Sequence, residues 1–404
     1  MRILVLDSIH GGRVIADHLK QASHEVDVVD IYRHIDGISE DEARERRYDL
    51  LTHPVHLDPE HPLIRSISLP TVTHHQIVRW LLGQKTPHTV IEITGAQGKS
   101  TTAAALAWLM AGPGILHTSS GLIRYPDQKH LGRHSITPAS FLIAHTELQN
   151  DDWLIGEVSL GFCGIGRLGI LTSGNDYLVA SDKKRAINLK TDSAFLIPQV
   201  IVPPDLELNH SGCIRASDLV SVSGDICDFI YGTIAGSFSN PLLYLPGYKT
   251  PFMLAAAAAL IMGISPEPLS SFEALPGRMQ VIKKDSKTIL DNANSGTCYQ
   301  TTCDAVSYSK IIAPGRSFTL VIGQESSSVC ENFVTEEICR AIQDTNPGSV
   351  ILIPGDSRIE TGAIIALARE KNIPLEVAEI PEKAIELAES MHNQIIILSY
   401  KRWR

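Results

Sequence analysis

The sequence lacks the features that mark disulfide scaffolds, membrane proteins and nucleic-acid binders. Its seven cysteines are scattered, odd in number and form no C-x-x-C pair, which indicates reduced thiols rather than disulfides or a zinc site. The longest apolar run, residues 252–263, is shorter than the about 20 residues that cross a bilayer. No basic block occurs, and the net charge is -10. We therefore expect neither a dedicated nucleic-acid binder nor a membrane protein.

The amino terminus shows no basic leader before its first apolar run, residues 3–6, so we expect a cytoplasmic protein. With 404 residues, 44% of them hydrophobic and 20% charged, the chain has the composition of a globular protein of two to four domains. Small anions remain possible ligands despite the negative net charge, because a local site can differ from the average.

The pattern of strands and helices predicts an α/β protein in three parts. A βαβ unit spans residues 1–31, and strand and helix signals alternate again through the last third of the chain. The segment 83–87, rich in Gly and Pro, reads as a linker. Three domains are predicted: a Rossmann-like domain at residues 1–85, a central domain at residues 86–240 and a carboxyl-terminal α/β domain at residues 241–404.

The most informative segment lies between a predicted strand, residues 90–93, and a predicted Ala-rich helix, residues 102–110. It reads Thr94-Gly95-Ala96-Gln97-Gly98-Lys99-Ser100-Thr101. Glycines let backbone amides face an anion, Lys99 can reach terminal phosphates, and the Ser100 hydroxyl can bind magnesium. The usual glycine five positions before Gly98 is replaced by Ile93, so this is a shortened phosphate loop.

The shortened T-G-x-x-G-K-S-T loop resembles the ATP loop of the Mur ligase family. The resemblance implies a central P-loop ATPase domain, ATP and magnesium as cofactors, and activation of a carboxylate as an acyl phosphate. Two further segments are similar to family motifs: Thr137-Pro138 to a substrate-facing segment, and the strand at residues 153–158 to the one whose glutamate, here Glu157, binds magnesium.

The family also carries a carbamylated lysine that becomes a ligand of a second magnesium ion. Lys190 falls at the corresponding position, with Lys183 and Lys184 as competing choices. The family's Asp-His-x-Asp motif is missing, and Asn175-Asp176-Tyr177 stands in its place. The resemblance thus implies Lys99, Glu157 and Lys190 as catalytic residues and Ser100, Glu157 and Lys190 as metal ligands.

Similarity to the family continues into the last domain. Gly277-Arg278-Met279 resembles the segment whose arginine contacts ATP phosphate. Leu290-Asp291-Asn292 resembles the segment whose aspartate contacts the nucleotide. The resemblance therefore implies Arg278 and Asp291 as ATP-binding residues.

The substrate is expected to bind near the amino terminus. Asp7-x-x-His10-Gly11-Gly12 ends a first strand without completing a dinucleotide fingerprint, so it is a tight turn or a site for another ligand. The candidate substrate-binding residues are His10, Gly11, Gly12, Arg13, Thr137 and Pro138.

Together with the segment 245–250 and the last seven residues, this pattern is most similar to Mur-like ligases that finish the nickel tetrapyrrole of methanogenesis. That resemblance implies ATP-dependent closure of a carbocyclic ring, with nickel present only as part of the substrate.

Three alternatives remain at this stage. An amide-forming Mur-type ligase of cell-wall (peptidoglycan or pseudomurein) type is weakened by the lack of an Asp-x-Pro-Arg-like segment for an incoming amino acid. A non-catalytic ATP-binding module would not need Glu157, Lys190, Arg278 and Asp291 together. A nucleotide kinase or GTPase is disfavoured by the shortened loop. We expect a monomer or a homodimer.

Overall fold

The computed structural model describes residues 1–66, 68–83, 89–149, 152–325, 333–355 and 359–402. They form two compact units: Met1–Leu243 with Gly247–Phe272, and Tyr244–Pro246 with Glu273–Arg404. Helices and parallel strands alternate in both units, which confirms the predicted α/β class. The twelve helices of the described residues are α1 (Gly12–Gln21), α2 (Glu40–Glu45), α3 (Pro62–Ser66), α4 (His74–Leu82), α5 (Lys99–Leu109), α6 (Ser140–Thr146), α7 (Ala186–Ala194), α8 (Pro246–Ile261), α9 (Tyr299–Ile312), α10 (Thr335–Thr345), α11 (Thr361–Glu370) and α12 (Pro381–Ser390).

The amino-terminal part of the first unit is a small parallel sheet. Its strands are β1 (Arg2–Leu6), β2 (Glu25–Val29), β3 (Leu50–His53) and β4 (Thr71–Thr73). They lie in the order β2-β1-β3-β4, and all neighbours are parallel. Helix α4 begins where the Thr73 hydroxyl accepts from the Gln76 amide and the Gln76 side chain returns to Thr73, a capping box.

An eight-stranded sheet forms the centre of the first unit. Its strands are β5 (Val90–Thr94), β6 (Gly114–Thr118), β7 (Gly121–Tyr125), β8 (Lys129–Gly132), β9 (Trp153–Glu157), β10 (Leu168–Leu171), β13 (Gln199–Val202) and β14 (Cys213–Arg215), with the two-residue strands β11 (Leu178–Val179) and β12 (Lys184–Arg185) paired apart from it. The order is β14-β13-β10-β5-β9-β6-β7-β8. Strand β5 lies in the middle, parallel to both β9 and β10. Because carboxyl ends of parallel strands meet at one edge, the segments after β5, β9 and β10 come together.

One hydrophobic core joins the four-stranded and eight-stranded sheets of the first unit. It contains Ile3 and Val5 of β1, Ile15 of α1, Phe141 of α6 and Leu154 of β9. This shared core fixes the turn after β1 against the segment that precedes α6. A three-stranded antiparallel sheet, β15 (Val220–Ser223), β16 (Ile226–Tyr231) and β17 (Ile234–Ser239), completes the unit.

The second unit is a six-stranded sheet covered by helices. Its strands are β18 (Gln280–Lys284), β19 (Lys287–Asp291), β20 (Phe318–Gln324), β21 (Ser349–Ile353), β22 (Leu375–Val377) and β23 (Ile395–Lys401), in the order β18-β19-β23-β20-β21-β22. Only β18 is antiparallel to its neighbour, so the parallel sheet predicted for the last third of the chain is confirmed.

Several predicted boundaries were wrong. Residues 195–198, predicted as the start of a strand, follow α7, and only 199–202 is extended. The predicted strand 229–234 is two strands of a hairpin. The helix predicted from residue 255 begins at Pro246, because proline is tolerated in a first helical turn. The division at 85 and 240 stays a prediction, and residues 84–87 of the expected linker lie outside the described residues.

Candidate active site

The phosphate loop leaves β5 at Thr94 and enters α5 at Lys99. Gly95 has φ of +147°, and a Cβ there would lie 2.1 Å from Thr172 Oγ1, so only glycine fits. The backbone amides of Ala96 and Gln97 donate to Ser173 Oγ at 3.0 and 3.2 Å. Two successive amides converging on one oxygen are the geometry that binds an anion.

The lysine of the loop lies back over it. Lys99 Nζ donates to the Gly95 carbonyl oxygen at 3.1 Å. Thr101 follows Ser100 in the first turn of α5, and both are buried. Near the same turn, a methyl group at Gly98 would lie 3.4 Å from Pro251 Cγ of α8. The loop is therefore held between the central sheet and the start of α8.

Sequence reasoning missed the residues that support the loop from β10. Thr172 Oγ1 donates to the Thr94 carbonyl at 3.2 Å and also to the Gln97 carbonyl. Ser173 receives the two loop amides described above. The available signal was a pair of hydroxyl residues directly after a buried strand, at the edge where strand ends meet.

Glu157 and Ser100 lie at this same edge. Glu157 ends β9, pairs in register with Ile93 of β5 and is 1% exposed. Ser100 is in the first turn of α5, with its Oγ 3.2 Å from Ser119 Oγ. The structure thus brings the predicted carboxylate and hydroxyl ligands to the edge of the sheet that carries the phosphate loop.

Lys190 of α7 is fully buried. Its Nζ has no hydrogen-bond partner among the described residues and lies 4.8 Å from the centre of the Tyr177 ring. Burial and, to a smaller extent, the nearby charge of Lys99 lower the pKa of Lys190 to about 8, although Asp176 opposes the shift. An appreciable fraction of this amine is therefore neutral near physiological pH.

The two competing lysines have other partners. Lys183 Nζ forms ion pairs with Asp58 at 2.8 Å and Glu60 at 2.6 Å. Lys184 Nζ donates to the Val55 carbonyl at 3.0 Å. An amine held by carboxylates is a poor nucleophile because it stays protonated, and the pKa of Lys183 is raised chiefly by its hydrogen bond to Asp58.

The segment that replaces the family's histidine motif has a structural role. Asp176 accepts from the Ile187 amide at 2.9 Å and pairs with Arg185, which fixes the start of α7. Tyr177 supplies the ring beside Lys190. No group of three or more His, Cys, Asp or Glu side chains in the described part of the chain could hold a metal ion.

A second buried carboxylate holds the loop that leads into β10. Glu92 of β5 is 0% exposed and accepts from the amides of residues 163 to 166 at 2.6, 3.3, 2.7 and 2.9 Å. Burial raises the pKa of Glu92, while the four amides act in the opposite direction. This anchor lies two residues before Thr94, so it fixes β5 relative to β10 beneath the phosphate loop.

The candidate substrate residues meet in a small cavity of about 70 Å³. His10, Thr137 and Pro138 line it. Gly11, with φ of +94°, lies so close to this wall that a Cβ would be 2.5 Å from Ala139 Cβ. Gly12 begins α1 directly behind them. Arg13 does not line the cavity. Its Nε donates to Asp36 at 2.9 Å instead.

The second unit holds the other two nucleotide candidates. Asp291 ends β19, is 4% exposed and pairs in register with Gln280 of β18. Arg278 lies two residues before Gln280, in a turn where Asn294 Nδ2 donates to the Gly277 carbonyl at 2.7 Å. The structure therefore brings Arg278 and Asp291 to one end of the β18–β19 hairpin.

Comparison with solved structures defines the class of this fold. The chain matches a MurF from Acinetobacter baumannii with a TM-score of 0.59 and 13% identity, over 96% of this chain and 95% of that one. It matches the UDP-N-acetylmuramate-alanine ligase MurC from Thermotoga maritima with a TM-score of 0.56 and 12% identity, over 99% and 95%. The chain has the Mur ligase fold, which confirms the resemblance predicted from its motifs.

Sequence comparison is more specific. Residues 281–402 match the family described as coenzyme F430 synthetase CfbE, C-terminal domain. The whole chain is 29% identical to a coenzyme F(430) synthetase from Methanosarcina acetivorans, over 100% of this chain and 99% of the relative. Within the Mur-like ligases, the chain is thus similar to a coenzyme F430 synthetase along its full length. No helix in the described ranges is long and apolar enough to cross a membrane.

Proposed function

We propose that this protein is an ATP-dependent ligase of coenzyme F430 biosynthesis. Its substrate is a nickel tetrapyrrole carrying a free carboxylic acid side chain. The similarity to a coenzyme F(430) synthetase over the full length of both chains carries the choice of substrate, because the Mur ligase fold by itself serves several substrates. We place the reaction in the cytoplasm and expect a monomer or a homodimer.

The reaction we propose has two steps. A substrate carboxylate oxygen attacks the γ-phosphorus of ATP, which gives an acyl phosphate and ADP. A carbon nucleophile of the same macrocycle then attacks the acyl carbon, its proton is lost, and inorganic phosphate leaves. Since both reacting carbons belong to one molecule, positioning takes the place of capturing a second substrate.

The phosphate loop supports the first step. The amides of Ala96 and Gln97 converge on Ser173 Oγ, whose place a phosphate oxygen would take, and Lys99 lies beside them at the start of α5. These groups bind and neutralise the oxygens of the transferring phosphoryl group, which is the main contribution of a protein to such transfers. We also propose Arg278 and Asp291 as ATP-binding residues.

The donor set at the sheet edge fits magnesium, which prefers oxygen ligands and substrate phosphates over all-protein cages. Ser100 supplies a hydroxyl and Glu157 a carboxylate. Lys190 fits only after modification, since a buried ammonium would repel the ion, whereas a carbamate on its neutral amine would be an anionic ligand. When bound, magnesium would offset the negative charge of the ATP phosphates.

The test is to incubate the protein with ATP, magnesium and the nickel seco-tetrapyrrole acid, and to follow ADP and the absorption spectrum of the macrocycle. We expect ADP and a spectral change without any added amine, and neither product with Lys99→Ala. ADP that forms only after an amino acid is added would instead identify an amide-forming ligase. Binding of ATP with no ADP under any condition would identify a binding module.

A further inference from the structure

An acid and an imidazole form a pair at the carboxyl end of β1. Asp7 is 0% exposed, and its Oδ1 accepts from the Ile9 amide at 2.8 Å. The His10 amide lies 2.9 Å from Oδ2, and His10 Nδ1 lies 3.3 Å from Oδ1. The carboxylate thus orients the ring through Nδ1 and leaves Nε2 available on the other side. The His10 side chain is 42% exposed, so a ligand can reach it.

The pair borders a small, mostly apolar cavity into which several polar side chains project. The lining includes His10, His56, His74, Thr137 and Ser159. His74 is 1% exposed, and neither of its ring nitrogens has a hydrogen-bond partner within the described residues. An unpaired buried polar group is costly, so this wall is suited to a ligand that brings a hydrogen-bonding partner.

This cavity lies along the same sheet edge as the phosphate loop. Ser159 follows Glu157 by two residues, and its amide donates to the Ile136 carbonyl at 2.8 Å. Thr137 comes next, with its Oγ1 2.8 Å from the position of a Cβ on Gly11. A continuous wall of residues therefore leads from the end of β9 to His10. A macrocycle whose activated side chain lies at the phosphate loop would cover this wall.

We propose that His10 is the general base of ring closure and that Asp7 is the residue that positions it. His10 Nε2 takes the proton from the attacking carbon, whose electron pair forms the new bond to the acyl carbon. The bond between the acyl carbon and the phosphate oxygen breaks, and inorganic phosphate leaves. The imidazolium that forms is stabilised by the Asp7 carboxylate. This inference rests on the proposed function.

The surroundings favour His10 over its neighbours as the base. The hydrogen bond that His10 donates to Asp7 raises the pKa of His10, while burial and Arg33 oppose the shift. The rings of Tyr32 and His56 lie 5.0 and 4.9 Å from the His10 ring. Burial lowers the pKa of His56 to about 4 and that of His74 to about 3, so both are neutral but weak bases.

The experiment separates the two steps. Hydroxylamine traps an acyl phosphate as a hydroxamate, whereas ring closure changes the absorption spectrum of the tetrapyrrole. With ATP, magnesium and the nickel seco-tetrapyrrole acid, we expect His10→Gln to close the ring about 10²- to 10⁴-fold more slowly. Hydroxamate should form at least as fast as in the wild type, because acyl phosphate that no longer closes the ring remains available to hydroxylamine. Added imidazole should restore part of the ring closure in His10→Ala.

Two further variants give controls. His24→Gln changes a histidine stacked on Trp80, 5.3 Å between ring centres, and should leave both rates unchanged. In Asp7→Asn the acidic fall of the ring-closure rate should move to lower pH, because the carboxylate that raises the pKa of His10 is gone. A residue with a purely structural role would not shift this profile.

Ring closure at the wild-type rate in His10→Gln would overturn the inference. So would a parallel loss of hydroxamate, since that result would make His10 a substrate-binding residue only. Wild-type protein that releases no ADP in the presence of the tetrapyrrole acid would remove the proposed function, and this inference with it. That outcome is distinguishable because it is measured in the wild type.

Discussion

Replacing Lys190 should test whether a carbamate forms in this protein. The side chain is fully buried, and its Nζ contacts the Tyr177 ring with no hydrogen-bond partner in the described part of the chain. Truncation to alanine removes the amine and leaves room for a small anion. The surface pair of Lys183 with Asp58 offers a matched control, Lys183→Met, on the segment that leads into α7.

The lowered pKa of Lys190 determines what fraction of its amine is neutral and can be carbamylated. With a pKa of about 8 instead of 10.5, the neutral fraction of Lys190 at pH 7 rises from about 0.03% to about 9%, roughly 300-fold. Only the neutral amine attacks carbon dioxide. Loss of one preorganised group that stabilises developing charge costs about 10²- to 10³-fold in kcat. We expect kcat of Lys190→Ala to fall by that factor and kcat of Lys183→Met to equal that of the wild type.

The assay is ADP release at saturating ATP and tetrapyrrole, in buffer with and without bicarbonate. Removing carbon dioxide should lower wild-type kcat and leave Lys190→Ala unchanged, because the variant has no amine to modify. Acetate should restore part of the activity of Lys190→Ala, and ¹³C-bicarbonate should give a carbamate resonance in the wild type alone. Full activity of Lys190→Ala, or a wild type insensitive to carbon dioxide, would refute the argument.

Three other substitutions probe the support of the site. Glu92→Gln should lower the free energy of unfolding by about 3 kcal/mol in urea denaturation, because an amide cannot accept all four backbone N–H groups as the carboxylate does. Gly11→Ala should destabilise by at least about 1 kcal/mol, since a side chain disfavours φ of +94°, and should raise KM for the tetrapyrrole. The unfolded chain binds a proton at His74 below its ordinary pKa of 6.5, whereas the native state does so only near 3. The free energy of unfolding therefore decreases as the pH is lowered from 6.5 toward 3. From pH 7 to 5 this loss is about 2 kcal/mol, and it should be absent in His74→Leu. A His74→Leu variant as acid-sensitive as the wild type, or unchanged stability in Glu92→Gln or Gly11→Ala, would contradict these assignments.

Much of the site was predictable where one short segment carries the chemistry. The phosphate loop, the carboxylate at the end of β9 and the class of fold follow from local patterns, and the comparisons confirm the family resemblance. Boundaries were less predictable. Residues 195–198 have the apolar character of a strand, but they turn after α7 because the buried Ala194 and Ile197 pack there.

The roles of residues far apart in sequence were the least predictable. Nothing local marks Ser173 as the partner of two loop amides, because it lies 76 and 77 residues away and meets them only through the pairing of β5 with β10. Likewise, the three lysines near α7, Lys183, Lys184 and Lys190, are the same residue type within a short stretch of sequence. In the fold, Lys190 is buried, whereas Lys183 is ion-paired with Asp58.

An anion-binding loop, a helix start and a strand-end carboxylate can be recognised along the chain in the order that phosphoryl transfer needs. These are properties of neighbouring residues, since backbone conformation and helix dipoles act over a few positions. Other features emerge only on folding: which lysine is desolvated, which hydroxyls hold the loop, and that Asp7, His10 and Thr137 meet beside one cavity. Those features depend on burial and on strand order, which bring together groups that the chain keeps far apart.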